Sequence, residues 1–150
     1  LAGGELLGTA DLTLANICTV STSTTGTIPA ATPRLTRERI FSLRDAGADQ
    51  LAVSIDAENA EKYDAFRGVP GTFDKALEAA SWIREAGVAL QANTVFGAWN
   101  AGDFDAIAEL IKQLGVVFWE VFFLVPTGRG SALQGCSPEQ FEQLFEKLIN

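Results

Sequence analysis

Few side chains in this 150-residue chain are equipped for chemistry, and they stand where apolar runs end or are interrupted. Ser54 and Asp56 close the run Gln50–Asp56, Asn93 lies within Val88–Val95, and Glu120 interrupts Val116–Val125. A hydroxyl, an amide and carboxylates in such places can hydrogen-bond a polar ligand, and a carboxylate taken out of water needs a partner or a role. Polar residues at strand ends can also cap the helices that follow, and for Asp56 the two readings are equally open. Glu120 has its own alternatives: pairing with a Lys or Arg, or a place at an unclosed sheet edge. There is no His, so imidazole catalysis and imidazole metal ligation are excluded. The two cysteines, Cys18 and Cys136, are far apart in sequence, and two buried thiols of a cytosolic protein are expected rather than a disulfide.

The elements that must position these residues repeat. Three amphipathic stretches end at Gly47, Gly87 and Gly115, and each leads into an apolar run rich in Val, Leu, Ile and Phe. Glycine just past a helix supplies a left-handed C-terminal residue, and apolar runs of this kind are those of buried parallel strands. Helix–glycine–strand repetition predicts an α/β fold with parallel strands and right-handed crossovers. Thr36, Thr72 and Asp103 are the expected caps of three helices, with faces Ile40, Leu43 and Ala46; Phe73, Ala76, Leu77, Ala80 and Ile83; and Phe104, Ile107, Ala108, Ile111 and Leu114. Ser137, Pro138 and Gln140 predict a capping box at a last helix, whose face is Phe141, Leu144, Phe145 and Leu148. A further strand is expected over Ile17–Thr24 and a short helix within Ala57–Phe66. No linker divides the chain, so residues 1–150 are expected to form one domain.

Alternation separates two faces in each strand. Leu51, Val53 and Ile55 oppose Ala52, Ser54 and Asp56; Val88, Leu90, Ala92 and Thr94 oppose Ala89, Gln91, Asn93 and Val95. One face suits packing against helices, and the other is small and polar. Ligands of parallel α/β folds bind at the C-terminal strand ends, which makes Ser54, Asp56 and Asn93 candidate site residues.

Composition narrows the function. The net charge of −8 and the lack of a basic stripe argue against a nucleic-acid partner. The longest apolar run is too short to span a bilayer, and no signal peptide is visible, so a cytoplasmic protein is expected. No Met is present; a trimmed chain, an incomplete gene model or an engineered sequence would each explain that.

Several short motifs together resemble the radical S-adenosylmethionine (radical SAM) enzymes, in particular members with a C-terminal SPASM extension. Gly3-Gly4-Glu5 resembles the family's GGE, Thr24-Thr25-Gly26-Thr27 its TNGT strand end, and Ser54-Ile55-Asp56 its S-L-D strand. Phe66-Arg67-Gly68-Val69-Pro70-Gly71-Thr72-Phe73 resembles the FRG-x-x-G-[ST]-F loop, and Phe118–Gly130 the last part of the barrel. The resemblance implies a partial (β/α) barrel and a set of residues for S-adenosylmethionine: Gly3, Gly4 and Glu5 for its amino group, Thr24, Ser54, Asp56 and Asn93 at strand ends, Arg67 for a carboxylate, and Gly128 near adenine.

It also implies a [4Fe–4S] cluster, reductive cleavage of S-adenosylmethionine to a 5′-deoxyadenosyl radical, and a small-molecule or peptide substrate in peptide or cofactor maturation. The cluster motif C-x-x-x-C-x-x-C does not occur in the sequence, nor does the proline that usually follows GGE, where Leu6 stands. The chain is therefore expected to supply S-adenosylmethionine-binding strand ends without cluster ligands or a catalytic residue. The alternative is a non-catalytic or engineered barrel fragment with a binding or structural role. Open sheet edges predict self-association.

Overall fold

Gly47, Gly87 and Gly115 all adopt positive φ, at 94°, 73° and 69°, so the glycines after three helices do reverse the chain as the repeat requires. A computed structural model describes residues 29–30, 35–127 and 133–149. The elements in order are β1 (Pro29–Ala30), α1 (Arg37–Asp45), β2 (Gln50–Ser54), α2 (Ala60–Arg67), α3 (Thr72–Glu85), β3 (Ala89–Phe96), α4 (Phe104–Gln113), β4 (Phe118–Phe123) and α5 (Pro138–Ile149). The strands form one sheet in the order β1-β2-β3-β4, every neighbouring pair parallel. This is the parallel α/β architecture expected of a partial barrel. Gly3, Gly4, Glu5, Cys18, Thr24, Gly128 and the strand expected over Ile17–Thr24 lie outside the described residues.

One face of the sheet meets the helices. Leu51, Val53 and Ile55 of the β2 segment, Leu90, Ala92 and Phe96 of β3, and the half-buried Trp119, Val121 and Phe123 of β4 join Ile40, Phe73, Ala76, Ala80, Ile83, Ile107 and Ile111 in one apolar core. Burial of this kind contributes about 25 cal/mol per Å² of apolar surface. Thr94 is polar on the same face and is fully satisfied there. Its hydroxyl donates to the Ile55 carbonyl at 2.6 Å and accepts the Trp119 indole N–H at 2.9 Å.

Thr36 caps α1, its hydroxyl accepting from the Arg39 N–H at 3.4 Å, although Ala46, expected on the apolar face, is exposed. The Ser137–Gln140 box forms in both directions, at 2.9 and 3.3 Å. Thr72 is not the cap of α3 but its first residue. The cap comes from Asp64 in α2, whose carboxylate accepts the N–H groups of Gly71 (2.6 Å) and Phe73 (2.9 Å) and the Thr72 hydroxyl (2.8 Å). Asp103 precedes α4 but makes no capping bond, because its carboxylate is drawn to Lys62 at 2.7 Å. The short helix expected within Ala57–Phe66 begins at Ala60, capped by Asn59.

Candidate functional site

Parallel register brings three of the singled-out residues into one row. Ser54 pairs with Asn93, and Asn93 with Glu120, across β2, β3 and β4. Partners across a sheet share a face, and this face is the one turned away from the helices. One level toward the N-terminal ends lies the row Ala52, Gln91 and Phe118.

Gln91 ties the two rows together. Its amide nitrogen donates to Asn93 Oδ1 at 2.6 Å and to Glu120 Oε2 at 2.9 Å, while its Oε1 accepts from the Gln50 amide. Gln91 and Asn93 are almost wholly buried, and Ser54 and Glu120 half-buried. The chain of bonds orients the amides: Asn93 accepts through oxygen, and its Nδ2 takes no partner among the described residues. Glu120 likewise bonds through Oε2 and keeps Oε1. Among the described residues its partner is therefore an amide, and no Lys or Arg there pairs with it. The other alternative, an edge of the sheet, is where it lies: β4 pairs with β3 alone among the described residues.

Asp56 falls just past β2 and is fully buried. Its Oδ1 accepts the Val95 N–H at 2.9 Å and its Oδ2 pairs with Arg67 Nη2. Burial pushes its carboxyl above the usual range, against the opposing pull of the Arg67 guanidinium and the Val95 N–H. Arg67 is not a solvated loop cation. It is the last residue of α2, largely buried, with its guanidinium over the rings of Tyr63 and Phe66 at 5.4 and 5.6 Å. Tyr63 donates its hydroxyl to the Ser54 carbonyl at 2.8 Å, and burial pushes its phenol up to about 12. The S-x-D strand end and the FRG loop are thus joined by an ion pair inside the chain.

Asn100, Gln91 and Asp64 were not among the expected site residues. Asn100 is fully buried. Its Nδ2 donates to the carbonyls of Asp56 (2.8 Å) and Val95 (2.9 Å), and its Oδ1 accepts the Gly97 N–H at 2.9 Å. It clasps the C-terminal ends of β2 and β3 together. Nothing in a lone Asn within a loop announces such a task. Gln91 was legible as a member of the polar face, one step below Asn93. Among the described residues, three buried polar atoms, Glu58 Oε2, Arg67 Nε and Trp99 Nε1, have no hydrogen-bond partner, and all belong to segments that follow β2 or β3.

The Radical SAM superfamily matches residues 5–111. The chain belongs to that family. It is 43% identical over 111 residues to an AdoMet-dependent heme synthase of Methanosarcina barkeri, covering 74% of this chain and 32% of that relative. It is 34% identical over 80 residues to a PqqA peptide cyclase of Rhizobium meliloti, covering 53% of this chain and 21% of the relative. A probable GTP 3′,8-cyclase of Pyrobaculum aerophilum is 30% identical over 154 residues, covering 99% of this chain and 46% of the relative. The chain spans about a third of the length of the heme synthase relative.

The family implies S-adenosylmethionine and a [4Fe–4S] cluster, and the residues present fit the two unequally. A hydroxyl, an amide and a carboxylate in one partly buried row are donors and acceptors that a ribose or an amino acid moiety can use. The cluster needs several thiolates close together. The whole sequence has two cysteines, and no group of three His, Cys, Asp or Glu side chains among the described residues can hold a metal. The cluster does not fit the residues of this chain. Cys136 is a free, half-buried thiol whose pKa burial pushes up, which disfavours thiolate chemistry.

Proposed function

We propose that this chain is the S-adenosylmethionine-facing part of a radical SAM enzyme. The observation that carries the reading is the Ser54–Asn93–Glu120 row, which runs from the C-terminal end of β2 to the middle of β3 and β4 on the face away from the helices, in a chain of this family. Ser54 and Asn93 bind the cofactor, Ser54 through its hydroxyl and Asn93 through Nδ2. Asp56 and Arg67 serve it from behind by holding the end of β2 against β3. Gly3, Gly4, Glu5, Thr24 and Gly128 complete the set by their resemblance to the family motifs.

When bound, S-adenosylmethionine would supply radical chemistry: one electron from a [4Fe–4S] cluster held by cysteines that this sequence does not contain would break its sulfur–C5′ bond, releasing methionine and leaving a 5′-deoxyadenosyl radical that would take hydrogen from a substrate. The substrate is a small molecule or a peptide, and the setting is cytoplasmic; no helix among the described residues is long and apolar enough to cross a membrane. The lack of a third cysteine supports a second reading, in which the 150 residues by themselves bind without cleaving.

Calorimetric titration tests the proposal. Wild-type chain is expected to bind S-adenosylmethionine, and Ser54→Ala and Asn93→Ala each to weaken it about tenfold, the loss of one or two hydrogen bonds. No binding by a folded wild-type chain, or binding indifferent to both substitutions, overturns it.

A further inference from the structure

Glu120 is the member of the row that the family match does not reach, since that match ends at residue 111. It is also the one charged group in the row. Gln91 holds its Oε2 at 2.9 Å, and Gln91 is itself fixed by Gln50 and Asn93. The carboxylate is therefore aimed by neighbours that spend one of its oxygens. No ion pair among the described residues neutralises it, and no described residue on this face of β2, β3 or β4 is a lysine or arginine. Two residues to either side on the same face stand Phe118 and Phe122, the first of them 53% exposed.

A preoriented carboxylate flanked along its strand face by two phenylalanines, with no cation paired to it among the described residues, suits a particular guest. It accepts from an ammonium, a guanidinium or an N–H group carried on an apolar stem, and it repels another carboxylate. Resting on the proposed radical SAM reading, we infer that Glu120 is the specificity carboxylate of the site and that the substrate presents a cationic or N–H-bearing group to it, as an amine or a basic peptide does. A polycarboxylate substrate would meet the wrong charge here.

S-adenosylmethionine carries an ammonium too, so the test must separate the two sources. The full chain is titrated calorimetrically with S-adenosylmethionine, with acetyl-Phe-Lys-amide and with acetyl-Phe-Glu-amide. Wild type is expected to favour the lysine probe over the glutamate probe. Glu120→Gln keeps an oxygen for Gln91 and should retain the fold; it is expected to weaken the lysine probe about tenfold while S-adenosylmethionine stays within about twofold. Glu120→Lys is expected to reverse the preference; if it does not fold, Glu120→Gln decides alone.

Equal binding of the two peptide probes by wild type overturns the inference. So does a Glu120→Gln chain that binds the lysine probe unchanged, or one that loses S-adenosylmethionine as strongly as the lysine probe, since Glu120 would then serve the cofactor. Failure of S-adenosylmethionine to bind, with the lysine preference and its loss in Glu120→Gln intact, sinks the cofactor reading and leaves the specificity carboxylate standing.

Discussion

Asn100 donates from one amide nitrogen to the backbone carbonyl of Asp56 at 2.8 Å, across 44 residues of sequence. The same nitrogen reaches Val95, so one side chain spans the ends of two strands. Asn100→Ala would strand two buried carbonyls and the Gly97 N–H. The expected cost is about 3 kcal/mol, read as a lower urea midpoint with an unchanged slope. A loss under about 0.5 kcal/mol, the size of an ordinary surface substitution, would mean that the clasp is dispensable.

Arg67→Met tests the ion pair. It keeps the stem over Tyr63 and Phe66 but leaves the Asp56 carboxylate buried without a cation, for an expected loss of about 3–5 kcal/mol at neutral pH. Burial already holds the Asp56 pKa above its ordinary value, and removing the cation raises it further. A group with a raised folded pKa stabilises below its unfolded pKa and loses that contribution as pH rises through the folded value. The variant should therefore approach wild-type stability on acidification and fall away from it as pH rises. Adding Asp56→Asn should restore much of the loss at neutral pH. Parallel pH profiles for the variant and wild type in denaturant unfolding would contradict this.

Asp64 behaves in the opposite sense. Its partial burial acts to raise the carboxyl, but the N–H groups of Phe73 and Gly71 and the Thr72 hydroxyl together hold it below the ordinary aspartate value. Its contribution is present above the unfolded value and is lost as pH falls through the lower folded one. Asp64→Asn is expected to flatten the acid limb of the stability profile below about pH 4. It should also speed amide exchange at Gly71 and Phe73, at the start of α3. Unchanged exchange at those two amides would show that the cap does not hold the helix start.

The edge strand β4 supports a prediction about assembly. Val117, just before it, and Phe118, its first residue, are 69% and 53% exposed, and a parallel edge with apolar side chains and no partner strand among the described residues invites pairing with another chain. Sedimentation of the 150-residue chain should show association that Phe118→Lys reduces. A wild-type monomer at all concentrations tested would rule it out.

The α/β order was legible because glycine after a helix and unbroken apolar runs are strong local signals, and Gly47, Gly87 and Gly115 behave as that signal requires. The two faces of β2 and β3 were legible for the same reason: a period of two leaves Ser54 and Asn93 on one side. What the chain could not announce was contact across long separations. Thr72 has the chemistry of a cap, yet Asp64 reaches the helix start first. Arg67 is a cation in a familiar loop, yet its partner Asp56 lies at the far end of a helix and a turn. Each of these turns on which of two competent groups arrives, and that depends on tertiary geometry.

The sheet order β1-β2-β3-β4 is also the order of the sequence. Ser54, Asn93 and Glu120 are consequently met by a reader of the chain in the order in which they stand side by side in space. The wall of the site is laid down from one side to the other, one βα unit at a time. A change in the β4 unit alters the Glu120 end, where the substrate group is proposed to sit, while the Ser54 end proposed for the cofactor keeps its neighbours.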